Sequence, residues 1–429
     1  MSHGAADETR WVLSGAVGAP TLYLFPELER TTWWRRLLEL DVAIRSPTPA
    51  PVLTALYATL LGELAARGYQ DLRRAAATEL LAGTGPLAAY AAQQVPAGLL
   101  YALEKDLELI HLLTGRDLGN EIEILTAEEQ PPLVALANDY PPGVLSAAVL
   151  AVEAALASTE PKHRVELFTD ALAQHGSGPT ALYSALTFAD GRLIGLPEPD
   201  LPDWSELFGL SEQLARLEAN VEALLARSGA HHTLLYGPRG SGKSTAVRGL
   251  LRRFASRGLR LIEVPPAQLE SIPDFVEHLR RQPTAFVLYV DDLAFEEGET
   301  DYRPLKSLLE GSLARRPSNV IVVATSNRRH LVKERLSDRP APEDDVHGWD
   351  THNEKLALAD RFGLTITFPS AGQRDYLELV RALAALRGVT DFEAEEAIRF
   401  AEWGNGYSGR TAQQYVSELT RKTAPRLTP

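Results

Sequence analysis

Gly237, Pro238, Arg239, Gly240, Ser241, Gly242, Lys243 and Ser244 follow one another, with Thr245 next. A glycine, four residues and then Gly-Lys-Ser is a spacing suited to a chain of phosphates. The glycines let successive backbone N–H groups turn inward, and a helix starting there offers its positive end. Lys243 would reach the β and γ phosphates while Ser244 ligates Mg²⁺. Further on, "FVLYVDD", residues 286–292, is an apolar run ending in two carboxylates. Asp291 would hold Mg²⁺ through water, and Asp292 stands where a glutamate commonly polarises the attacking water. Glu296, Glu297 and Glu299 follow closely. They offer either a substitute water activator or an ordinary solvated loop.

These residues need a scaffold, and the flanking pattern supplies one. "HTLLY", "LRLIEV", "AFVLYVDD", "NVIVVATSN" and "LTITF" read as five strands, with helices predicted from Lys243, over 272–282 and over 302–316. Strands alternating with helices imply an α/β fold, a five-stranded parallel sheet covered on both faces, with ligands at the carboxyl ends of the strands. Beyond Pro369 three more helices are expected. Upstream, "ALYSALTFADGRLIGL" reads as a β-hairpin turning at Asp190-Gly191, and "PEPDLPD" as a proline-rich linker. Before that, apolar residues recur at three- and four-residue spacing, which predicts an all-α region. The expected domains are a helical region over 1–180, hairpin and linker over 181–203, the α/β core over 204–369 and a helical lid over 370–429. Residues 329–355, charged and broken by proline, read as a long loop. Within the helical region, "WWRR" at Trp33 to Arg36 offers either a cation–π surface or, as aromatic residues entering a helix usually do, core.

Taken together, "LLYGPRGSGKSTAVRGLL", "LRLIEV", "VLYVDDLAFEEGE", "ATSNRRHL" and "LADRFGLTITF" resemble the AAA+ ATPase module, and in particular the bacterial AAA+ proteins grouped as domain-of-unknown-function family 815. The resemblance covers residues 185–420 and extends only weakly to the N-terminal helices. It implies a P-loop αβα core with a helical lid, binding ATP with Mg²⁺. Asn327 matches the first sensor, which orients water or reads the γ-phosphate. Arg361 in "DRFG" matches an arginine finger that reaches a neighbouring subunit, so a homo-oligomer is implied. Arg410 in "GYSGRTAQ" matches the second sensor at the start of a lid helix, and the loop from Leu207 to Gly209 would lie against adenine. The ordinary alternatives are a strand-capping asparagine, a surface arginine paired with Asp360, and a solvent-facing arginine at a helix start.

Composition narrows the setting. The 429 residues carry a formal charge of -14, and there is no cysteine, hence no disulfide or thiolate chemistry. Residues 1–189 hold 12 Lys plus Arg against 22 Asp plus Glu, a balance of -10, so the remainder carries -4. This acidity disfavours nucleic acid and anionic lipid and points to a protein partner. The polar start of the sequence and the lack of a long apolar run lead to the expectation of a cytoplasmic protein with no membrane association. None of the ten histidines forms a recognisable metal pair, and His231 and His232 read as strand-edge residues. Three functions remain: an ATPase that drives conformational change on a protein partner, a nucleotide-dependent switch with little hydrolysis, and a helicase-loader-like protein acting on DNA. A P-loop kinase would leave the sensor, finger and lid motifs unexplained.

Overall fold

The computed structural model describes residues 21–69, 71–83, 85–90, 95–130, 146–293, 305, 309, 317–327, 361–389, 392–404 and 406–423. Glu296, Glu297, Glu299 and the loop 329–355 lie outside the described residues. The helix expected over 302–316 is described only at Leu305 and Leu309, both helical and buried. The chain divides after Tyr183 into two compact units.

The first unit is helical, as its apolar spacing predicts. It contains α1 (Pro26–Glu29), α2 (Thr32–Ile44), α3 (Ala50–Ala66), α4 (Leu72–Ala82), α5 (Ala97–Thr114), α6 (Leu118–Thr126), α7 (Ser146–Ala157), α8 (Pro161–His175) and α9 (Pro179–Leu182). Proline opens α1, α8 and α9, where its fixed φ suits the first turn and its missing N–H is no loss. Asp71 and Asp117 cap α4 and α6, accepting from the N–H groups of Arg74 and Asn120. The "WWRR" stretch belongs to the core. Trp33 and Trp34 have no exposed surface and meet edge to face at 5.7 Å. The guanidinium groups beside them turn away, Arg36 to Glu39 and Arg35 to the Arg30 carbonyl.

The second unit is built on one sheet. Its strands are β1 (Ala185–Ala189), β2 (Arg192–Gly195), β3 (Thr233–Tyr236), β4 (Leu259–Glu263), β5 (Ala285–Val290), β6 (Val320–Ser326) and β7 (Leu364–Thr367), in the order β2-β1-β4-β5-β6-β3-β7. The five expected strands form the contiguous parallel block β4-β5-β6-β3-β7. The hairpin is more than a connector: β1 pairs in parallel with β4 and extends the sheet to seven strands, with β2 antiparallel at the rim. Leu186 and Phe188 on β1 are buried, so the pairing covers an edge that would otherwise expose apolar surface and unpaired backbone. Asp190 and Gly191 both take positive φ, 50° and 72°, the geometry a two-residue hairpin turn requires. The prolines of 197–203 lie inside this unit.

Helices α10 (Ser211–Leu225) and α11 (Lys243–Phe254) share a core with the sheet, burying Leu217, Val221, Val247 and Leu250 against Leu235, Val287 and Ile321. On the other face α12 (Ile272–Arg280) sets Phe275 against Phe188, 4.8 Å between ring centres. Three helices, α13 (Gln373–Leu386), α14 (Ala394–Trp403) and α15 (Gly409–Thr423), close around Tyr376, Val380, Ala397, Tyr415 and Val416 as a small bundle of their own. Among the described residues no helix is long and apolar enough to cross a membrane.

Candidate functional site

Register brings the chemistry to one end of the sheet. Tyr236 on β3 pairs with Ser326 on β6, and Val290 on β5 pairs with Ala324. One step further along each strand, Gly237, Asn327, Asp291 and Thr325 emerge together at the carboxyl edge. Side chains alternate along a strand, so Tyr289 and Asp291 share the face of β5 that meets α11.

The loop from Gly237 to Gly242 is shaped by close approaches. Gly237 lies so near β7 that a Cβ there would stand 2.3 Å from the Phe368 carbonyl oxygen. Gly240 takes φ of 75°, and a Cβ on it would meet Ser408 Oγ at 2.9 Å. Lys243, the first residue of α11, is buried, and its ammonium donates to the carbonyls of Gly237 (2.7 Å) and Pro238 (2.8 Å) and to Asn327 Oδ1 (3.0 Å). Burial lowers its pKa, opposed by the charges of Asp291 and Asp292. A buried cation with only uncharged hydrogen-bond acceptors lacks the anion that would offset its desolvation.

Asp291 collects three donors on one oxygen. Ser244 Oγ reaches its Oδ1 at 2.9 Å, Thr325 Oγ1 at 2.5 Å and the Asp292 N–H at 3.1 Å. Burial works against its charge, yet Thr325 foremost, then the nearby Tyr289 hydroxyl, Ser244 and the Asp292 N–H, hold its pKa below the ordinary value. Asp292 sits at φ of 49°, a left-handed conformation that costs energy in any residue with a side chain. Its N–H is tied to Thr325 Oγ1 (2.9 Å) and its Oδ1 accepts from Asn327 Nδ2 (2.7 Å). Arg239 Nη2 stands 4.0 Å from its Oδ2. Asn327 therefore joins Lys243 to Asp292.

The remaining expected residues are spread around this centre. Leu207, with Leu210, closes on Gly242, where a Cβ would stand 2.9 Å from Leu207 Cδ2. Gly209 shapes the turn into α10, with φ of 72° and open space beside it. Thr245 follows Ser244 in the first turn of α11. Arg410, exposed, starts its side chain beside Gly240, and the Gly409 N–H donates to the Gly240 carbonyl at 3.0 Å. The lid thus touches the tip of the loop through its backbone. Arg361 is elsewhere. It precedes β7, whose Leu364 pairs with Thr233 at the opposite end of β3, and the neighbouring Gly363 lies against the His231 ring. His232 is buried and accepts from the Val322 N–H through Nδ1 (2.9 Å), a strand-edge role. Among the described residues no cluster of His, Asp and Glu is arranged to hold a metal by itself.

Thr325 and Trp204 are among the residues that escaped the sequence reading. Thr325 bridges both aspartates, and the only sign of it was its place two residues before Asn327, on the same strand face. Trp204 anchors the entry segment, donating from Nε1 to the Ala246 carbonyl (2.9 Å) beneath the Arg253 guanidinium (4.9 Å).

The residues present fit a magnesium-bound triphosphate. Ser244 and Asp291 are an oxygen pair of the kind Mg²⁺ prefers, and Lys243 lacks an anionic partner. Two buried hydroxyls, Ser241 Oγ in the loop and Tyr289 OH beneath Ser244, have no hydrogen bond. An unmade bond of this kind costs about 1–3 kcal/mol, which phosphate oxygens and metal-bound water are suited to relieve.

Among solved structures the chain is similar to the Thermotoga maritima RuvB Holliday junction branch migration motor. Identity is 18%, with 53% of this chain and 68% of that chain covered and a TM-score of 0.36. A variant structure of the same RuvB gives 16% identity, 52% and 66% coverage and a TM-score of 0.34. At those values the similarity bears on neither substrate nor partner. No curated protein matches the chain. The strand order and the loop after β3 give the P-loop αβα sandwich that the sequence led us to expect, followed by a three-helix bundle. Residues 181–423 match the model of the family described as "Protein of unknown function (DUF815)", and the chain belongs to that family.

Proposed function

We propose that the protein is an oligomeric, Mg²⁺-dependent ATPase whose lid and N-terminal helices move against a protein partner as ATP binds and is hydrolysed. The observation that carries this reading is the convergence of Lys243, Ser244, Asp291, Asp292 and Asn327 at the mouth of one loop. Lys243 binds the β and γ phosphates. Ser244 and Asp291 hold the cation, which when bound offsets charge on the transferring phosphoryl group. Asp292 orients and deprotonates water, and Asn327 aligns it with the phosphate that Lys243 holds. Leu207 covers the base, and Arg410 closes from the lid.

Arg361 supplies the oligomer. His231, beside Gly363, and Gly237 stand six residues apart along β3 and its flanks, roughly 20 Å of extended chain. The finger is therefore beyond reach of its own cradle and acts on the cradle of a second copy, removing a barrier worth about 10³-fold or more in turnover. Activity should rise with protein concentration. Lys243→Ala and Arg361→Ala should each be inactive alone, and their mixture should regain activity, because one protomer keeps the cradle and the other the finger. A mixture as inactive as its parts, or an Arg361→Ala protein with full turnover, would refute the trans arrangement.

One observation favours the switch reading as well. Asp292 has one oxygen bonded to Asn327 and the other facing Arg239, and it is a methylene shorter than glutamate. A base so engaged turns over slowly. Nucleotide recovered from freshly purified protein separates the two: retained ATP with no phosphate release identifies a switch, and retained ADP a working hydrolase.

A further inference from the structure

We propose that Tyr289 is a positioning residue for the divalent cation, its phenolic O–H completing the hydrogen-bond shell of the Ser244–Asp291 pair once the cation is bound. The inference rests on the reading of the site as a magnesium–nucleotide cradle.

Tyr289 lies on β5 two residues before Asp291, with its ring in the core that α11 shares with the sheet. The side chain is 3% exposed, and its hydroxyl is buried without a hydrogen bond. Burial raises the phenol's pKa. Ser244, which lowers it, and Asp291, which raises it, act on the hydroxyl from hydrogen-bonding range, yet no bond of good geometry joins it to either. On the other side of the pair the bonding is lopsided, since Ser244, Thr325 and the Asp292 N–H all donate to Oδ1 of Asp291.

A phenylalanine of the same shape would fill this part of the core without burying an unused hydroxyl. The O–H is placed for a second arrangement of the site. A cation held by Ser244 and Asp291 would draw on the oxygen atoms that now bond to each other. The tyrosine, fixed by strand and core, can then donate to the carboxylate and hold its orientation. Without it Asp291 still has its three donors and Ser244 keeps its place, so the nucleotide itself should bind as before.

The test compares the 429-residue chain with its Tyr289→Phe variant, using a fluorescent ADP analogue in EDTA and then over a Mg²⁺ titration. In EDTA the two should bind within twofold of each other. The Mg²⁺ concentration that half-completes tightening should rise about tenfold in the variant, the scale of loss of an outer-shell metal partner. In an Asp291→Asn background the same substitution should add nothing. An unchanged Mg²⁺ midpoint overturns the proposal, as does an equal loss in EDTA or an additive loss beside Asp291→Asn. If the parent binds no analogue at any Mg²⁺ concentration, the cradle reading itself fails. Thermal unfolding in EDTA guards against a folding artefact, because removal of an unbonded hydroxyl should leave the midpoint equal or higher.

Discussion

Both units bury polar side chains as straps, Asn220 and Asn319 in the second among them, and they differ at the loop after β3. In the helical unit several buried groups strap separate stretches together. Asp106 on α5 accepts from the N–H groups of Tyr23 (2.9 Å) and Leu24 (2.7 Å), and Arg74 on α4 holds Glu153 on α7 at 2.6 Å. Arg116 joins Asp41 to Glu121, and Arg164 closes on the Ser158 carbonyl. These straps are dispersed. In the second unit Lys243, Ser244, Asp291, Thr325, Asn327 and Tyr289 converge, and some of their bonding capacity is unused. Polar groups dispersed as straps stabilise a fold, whereas groups that converge on one opening with bonding capacity to spare suit a ligand.

The helical unit should therefore lose stability without losing nucleotide. Trp34→Ala removes a side chain with no exposed surface that packs on Trp33, and a void of that kind costs about 3–5 kcal/mol. Denaturant unfolding followed by hydrogen exchange should show that loss in residues 21–183, while ATP affinity stays within twofold. A matching fall in affinity would show that the two units are coupled and end the division.

Thr325→Val sharpens the contrast from the other side. The substitution keeps the shape and removes both the donor to Asp291 and the acceptor of the Asp292 N–H. We expect weaker Mg²⁺ dependence of nucleotide binding by about tenfold. Unfolding free energy should fall by only about 1–2 kcal/mol, since the Asp292 N–H retains Asp291. A large stability loss with unchanged Mg²⁺ response would make Thr325 one more strap, like Arg74.

How much of this was legible depended on distance along the chain. The cradle was, because its loop, cation and metal-holding hydroxyl are consecutive, and the apolar run ending at Asp291 advertised a strand end. The five central strands were legible for the same local reason. Thr325 and Tyr289 were not, since each is an ordinary strand residue until register sets it beside Asp291. The docking of β1 on β4 and the left-handed turn at Asp292 likewise depend on neighbours that local pattern does not name. In the helical unit the helices were evident, but not the straps: Arg74 and Glu153 stand 79 residues apart.

The smallest effect concerns pH and reaches only the helical unit. His111 on α5 approaches the Leu156 carbonyl through Nδ1 at 2.6 Å. Burial lowers its pKa below 6.5. Arg164 and Arg73 push the same way, while the Leu156 carbonyl and Glu108 oppose them. A histidine whose folded pKa is depressed binds its proton more readily in the unfolded chain. Its contribution is thus complete above about pH 6.5 and is lost as pH falls through the lowered folded value. Hydrogen exchange in α5 and α7, corrected for intrinsic rates, should quicken between pH 7 and pH 5 in the parent and change less in His111→Gln. Magnesium-dependent nucleotide binding should not follow that difference between parent and variant. If it does, the buried charges of the first unit are no mere straps, and acid reaches the cradle through them.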